Sequence, residues 1–347
     1  MNGVEQYIKA KRLETHRSIA SCKKIYFDTK YWIKLRDAQR NTNPRDQEFL
    51  NKVMQLVEHN KCIAPISEVT FLEILKQNDF NSARQSAIII DKLSKGISII
   101  NENERRTLEF MCFMRKAQEK DTYKTSELVW TKLSMNILYP ILPKPGNLEL
   151  KKSFIEYISA ISFSNMIDVL EQNKQYKPFA FQDNIDFLNE AKEKYKDENK
   201  SFHQMFLSEL GGYVDLFKES LNEAMSQLHY WDIGRYPTVE EKAGTNPNLI
   251  RNHIFNSFRL KKATTEFPSY SILPELFAAA RWNKTRKYRD GNDTMDFLHA
   301  SAALPYFDFF FTEHELNTII KQRKLDTRFN CVVESDPNKA LEILSSL

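Results

Sequence analysis

The chain has 347 residues, 41% hydrophobic and 28% charged, the composition of a globular protein able to bury a substantial core. Its 50 Lys and Arg against 46 Asp and Glu leave a net charge of +4, which neither demands nor excludes nucleic acid; a basic stripe would have to be local. With Gly at 8 and no G-x-x-x-x-G-K-[ST] or G-x-G-x-x-G sequence, a glycine-lined nucleotide loop is not expected. Cys22, Cys62, Cys112 and Cys331 form no C-x-x-C pair, which argues against a zinc ribbon and for reduced thiols. Residues 1–21 are polar and do not read as a secretion signal, and no run approaches ~18 apolar residues, so a cytoplasmic protein without a membrane span is expected.

In chain order, residues 1–20 read as a helical or loose arm. Residues 23–28 form a short apolar strand closing on Asp28, and 31–36 continue at helical spacing. Phe49, Val53, Leu56 and Val57 recur at i, i+4, i+7 and i+8, which predicts an amphipathic helix over 48–59. Residues 62–66 predict a second strand, Ser67 an N-cap, and 68–77 the helix it starts. A helix over 82–93 and a strand over 97–100 follow. This alternation predicts parallel βαβ units. From about 102 to 285 the periods are mostly helical, with long helices over 154–172 and 202–230 and breaks at 141–146 and 236–247. The βα character returns with a helix from Asp293, an apolar strand within 307–311, a helix over 315–324 and a strand over 331–333. The economical reading is a discontinuous α/β domain whose two ends come together around a helical insertion.

Acids at the C-terminal ends of strands in such a sheet face one crevice, and a crevice of carboxylates suits hard divalent cations. Asp28 ends the first strand, where it can be a helix N-cap, a metal ligand or both. Glu68 lies in a first helical turn, where it complements the dipole. Glu73 sits between Leu72 and Ile74, and an acid among apolar neighbours is costly to bury unless paired or metal-bound. Asp293, Asp296 and His299 form one i, i+3 row, with capping and packing as the plain alternatives. Glu313 follows Thr312 at the end of the 309–311 strand; Glu315 opens the next helix as a dipole acid, although either could be the fourth acid. Asp308 lies at the wrong end of that strand. Arg281, Lys284, Arg286, Lys287 and Arg289 form a basic run leading into the acidic cluster, either a solvated face or a set of phosphate contacts. No H-E-x-x-H and no G-x-S-x-G occurs.

Four of these features, in order, resemble the PIN-domain nucleases: Ile25-Tyr26-Phe27-Asp28-Thr29; Ser67 with Glu73 six positions on; Asp296 opening a helix of small residues, with Asp293 one turn before; and Phe309-Phe310-Phe311-Thr312-Glu313. The resemblance covers roughly the first 100 and last 60 residues. Lys30 stands where small members often have Asn, the fourth acid is Glu, and the helical middle has no counterpart in compact members. The resemblance implies a PIN-like three-layer α/β/α fold, with a central mainly parallel sheet and a large mostly helical insertion. Its parts would be an N-terminal arm (1–20), a first PIN-like part (21–100), the insertion (101–285) and a second part (286–347).

It also implies a toxin-like nuclease: a phosphodiesterase that uses Mg²⁺ or Mn²⁺ to hydrolyse nucleic acid, RNA rather than DNA. Asp28, Glu73, Asp293 and Asp296 would hold metal, with Glu313 as a further catalytic acid. Thr29, Ser67, His299, Thr312 and the five basic residues would contact the nucleic acid. Homodimers and an inhibitory partner protein are expected in such a family; the sequence leaves both open here. Two other readings stand beside it. One is an inactive PIN-like module that binds or scaffolds through its insertion. The other is a different metal phosphohydrolase built on Asp293, Asp296 and His299.

Overall fold

The structure, a computed structural model, describes residues 3–40, 43–77, 79–120, 123–172, 185–195, 198, 200–243, 246–260, 263, 265–288 and 292–347. It is mixed α/β, mostly helical, with a small parallel sheet. Among the described residues no helix is long and apolar enough to cross a membrane. The chain divides into two compact units. One comprises residues 7–101, 126–180 and 302–347; the other comprises 1–6, 102–125 and 181–301.

The first unit is built on strands. β1 (Lys23–Phe27), β2 (Cys62–Ile63), β5 (Phe309–Phe311) and β6 (Val332–Glu334) form a sheet of order β2-β1-β5-β6, all pairs parallel. β1 and β5 lie far apart in sequence, yet Ile25 pairs with Phe309 and Phe27 with Phe311. Alternation along β1 assigns its two faces. Ile25 and Phe27 join Phe309, Phe311, Trp32, Phe49 and Val53 in one core. Tyr26 points the other way, edge-on to Phe307 at 5.0 Å and Phe310 at 5.4 Å, and Phe307 meets Trp130 at 5.2 Å. The sheet is therefore buried on both faces, which is why its strands read as unbroken apolar runs rather than alternating ones. Burying each of these aromatic rings contributes roughly 1.5–3 kcal/mol.

Two strands differ from expectation. The strand expected over 62–66 is only Cys62–Ile63, because Pro65 has no N–H for a ladder; Ile66 then makes a lone parallel bridge to Ser98. β3 (Ile97–Ile99) stays out of the parallel sheet and pairs antiparallel with β4 (Trp130–Lys132), a strand too short for sequence periodicity to mark. The helix expected over 154–172 is two, Leu148–Ser159 and Phe163–Gln172. The second starts afresh because the Asp91 carboxylate accepts from Phe163 N at 2.8 Å and Ser164 N at 2.9 Å, supplying the acceptor that a helix start lacks.

Among its described residues the second unit contains helices and no strand. Glu102–Ala117, Phe202–Leu216, Lys218–Ile233, Pro247–Arg259 and Pro268–Trp282 pack around Phe110, Leu210, Val214, Ile254, Phe258 and Phe267. The helix expected over 202–230 breaks at Phe217, whose backbone (φ −106°, ψ 29°) leaves the helical region.

Candidate functional site

In the strand-built unit the site is the C-terminal edge of the sheet. Asp28 is buried and follows Phe27 directly. Its backbone N donates to Phe311 O at 3.1 Å, which extends the β1–β5 ladder by one rung and fixes the acid at the edge. Its Oδ1 accepts from Tyr31 N at 3.1 Å, capping the helix Thr29–Ala38. The cap contributes about 1 kcal/mol and holds the carboxylate still.

Thr29 donates its hydroxyl to Glu73 Oε2. Glu73 thus reaches the residue that follows Asp28, although 44 residues separate it from Thr29. Glu73 reaches this place because Ser67 caps the helix Glu68–Leu75, and the Ser67 hydroxyl is held by the Tyr26 phenol at 2.6 Å. Ser67 is fully buried in that network, so its role here is to seat the helix; a direct contact with nucleic acid is not open to it.

Thr312 and Glu313 end β5 beside Asp28. Thr312 is buried, its N donates to Glu334 O at 3.0 Å, and its hydroxyl has no hydrogen-bond partner among the described residues. Glu313 is half exposed, with Lys30 Nζ 3.6 Å from its Oε1. Lys30 thus lies against Glu313.

Two participants were missed in the sequence. Glu334 ends β6 as Asp28 ends β1, and Val332-Val333-Glu334 carries the same short apolar-to-acid signal; its Oε1 accepts from Ser335 N at 2.7 Å and Asp336 N at 2.9 Å. Tyr31 is buried and its phenol donates to Ser335 O at 3.1 Å. Burial pushes this phenol pKa up, and the negative charges of Asp28, Glu334 and Asp336 push it further. The edge therefore carries negative potential at Tyr31.

The remaining candidates belong to the helical unit. Asp293, in the first turn of the helix Asn292–Ala303, is buried and ion-paired with Arg286. Asp296 is half buried and His299 buried on the same helix; a surface contact with nucleic acid is not open to His299 as placed. Arg281 is paired with Glu209. Lys192 Nζ donates to Ala280 O at 2.8 Å, Asn283 O at 2.6 Å and Arg286 O, closing the segment after Pro268–Trp282; burial, then Arg286, pushes its pKa down. Two of the five basic residues are thus engaged with acids. Lys284 and Lys287 are exposed, and Arg289 lies outside the described residues.

The donors described at the sheet edge, on Asp28, Thr29, Glu73, Thr312 and Glu313, are carboxylate and hydroxyl oxygens, and that chemistry fits a hard cation such as Mg²⁺ or Mn²⁺, which takes one or two protein carboxylates and completes its shell with water and substrate oxygens. Among the described residues, no group of three or more His, Cys, Asp or Glu is placed to hold a metal by itself. The four cysteines are buried and form no disulfide, and burial pushes the Cys62 thiol up to about 12, the behaviour of an inert core thiol. No protein-family model, curated protein or solved structure matches this chain.

Proposed function

We propose that this protein is a PIN-like nuclease, a metal-dependent phosphodiesterase acting on RNA. The observation that carries the reading is the sheet edge: Asp28 and Thr312-Glu313 end adjacent parallel strands, and the Thr29 hydroxyl ties Glu73 to the same place. Bound Mg²⁺ or Mn²⁺ would lower the pKa of a water and offset charge on the phosphate. Asp28 and Glu73 would hold it. The chain's own residues do the rest. Tyr31 N fixes Asp28, and Thr29 orients Glu73. The negative edge repels a polyanion until cations neutralise it.

The test is cleavage of single-stranded RNA, with a DNA control, in Mn²⁺, Mg²⁺ or EDTA. Asn caps helices as well as Asp does, so Asp28→Asn removes charge without removing the cap. Even groups that only support a ligand cost 10–100-fold, so Asp28→Asn is expected to lower cleavage by about 100-fold or more. Equal, metal-dependent cleavage by the variant overturns the assignment.

One observation favours a second reading, an inactive PIN-like module that binds rather than cuts. Lys30 places a resident cation 3.6 Å from Glu313. Specific RNA or protein binding without metal-dependent turnover, and no gain of turnover in Lys30→Asn, would decide for it.

A further inference from the structure

Away from the sheet edge, the strand-built unit contains a pocket of about 390 Å³ between the helix Gly3–Ile19, the antiparallel β3–β4 pair and the helix Leu148–Ser159. That volume falls in the range of small-molecule sites. Its walls are of two kinds. Ile8, Ile97, Met135 and Ile155 supply apolar surface. The charged residues are Lys11, Glu14, Glu156 and Lys132.

The acids are already met. Lys11 Nζ lies 2.8 Å from Glu156 and 3.4 Å from Glu14, and the Tyr7 hydroxyl also donates to Glu156. Lys132 is different. It is half buried on β4, its Nζ donates to the Lys95 carbonyl at 2.8 Å, and among the described residues no carboxylate pairs with it. The Lys95 carbonyl is presented there by a turn in which Lys95 (φ 53°) and Gly96 (φ 68°) are both left-handed, and the Lys132 stem runs 3.9 Å from where a Cβ on Gly96 would sit. A half-buried ammonium held by one neutral carbonyl retains most of its desolvation cost, which an anion in the pocket would offset. Burial alone lowers its pKa, as expected of a cation without a counter-charge.

We propose that this pocket binds a small monoanionic carboxylate with an apolar body, anchored on the Lys132 ammonium. One unpaired cation matches one negative charge, and a phosphate dianion would bring a second charge towards Glu14 and Glu156. The apolar walls fit an aliphatic or aromatic body. The site is independent of the sheet-edge chemistry.

The experiment is calorimetric titration of the full chain with hexanoate, with benzoate, and with inorganic phosphate as the dianion arm. At least one carboxylate is expected to bind, phosphate more weakly, and Lys132→Met to bind that carboxylate at least tenfold more weakly. Met135→Trp fills the pocket while leaving Lys132 in place, and is expected to abolish binding too; it keeps the proposal testable should Lys132→Met fail to fold. Absence of heat from both carboxylates, undiminished binding in either variant, or tighter binding of phosphate overturns it.

Discussion

The helical unit and the edge of the parallel sheet treat their acids in different ways. In the helical unit, acids meet donors: Glu209 meets Arg281, Asp215 meets Arg251, Asp293 meets Arg286, and the buried Glu109 accepts from Ser269 N and Oγ at 2.9 Å each. At the edge of the parallel sheet, Asp28, Glu334 and Asp336 add their charges on one buried phenol. Helices offer side chains in every direction, so a charge can be matched from a neighbouring helix. A parallel sheet gathers the ends of its strands along one line, and acids placed there stay together. Satisfied acids hold a fold; crowded ones store repulsion that a cation can relieve.

The comparison predicts that removing an acid's charge costs stability in the helical unit and little at the sheet edge. Glu109→Ala should be the largest effect, about 3 kcal/mol, because it strips the acceptor from the buried start of Pro268–Trp282; a change below about 1 kcal/mol in urea unfolding would break the comparison. Alkaline pH gives a smaller effect. A phenol whose pKa is raised by folding contributes stability that is present below about pH 10 and is lost as pH climbs towards the folded value, because the unfolded chain releases its proton first. Tyr31→Phe cannot ionise, so between pH 8 and pH 11 its urea midpoint should fall less than the parent's; an equal fall would show that folding does not raise the Tyr31 pKa. Smallest is Glu334→Gln, which keeps an oxygen for Ser335 N and Asp336 N but deletes a charge. Stability should stay within about 0.5 kcal/mol or rise slightly; a loss above 1 kcal/mol would mean that the edge acids are as structural as those of the helical unit.

Much of the sheet edge was legible in the chain itself. Asp28 as a helix cap after an apolar strand, Ser67 as the next cap, and the return of a strand at Phe309–Phe311 follow from local pattern, because caps and short buried strands are specified by adjacent residues. Glu334 was legible by the same rule and was passed over. The fate of Arg281 and Arg286 was not: a basic run looks the same whether its partners are phosphates or the carboxylates of Glu209, on a distant helix, and Asp293, at the start of the helix that follows.

The sequence alone determined the apolar strands, the acids that close them and the helix starts, since each depends on interactions within a few residues. Only the tertiary structure decided that β1 pairs with β5 and β5 with β6, that the Thr29 hydroxyl reaches Glu73, and that Lys132 faces a pocket without a carboxylate partner among the described residues. Those depend on side chains that approach through space from remote parts of the chain, and the burial that sets their charge exists only once the core has closed.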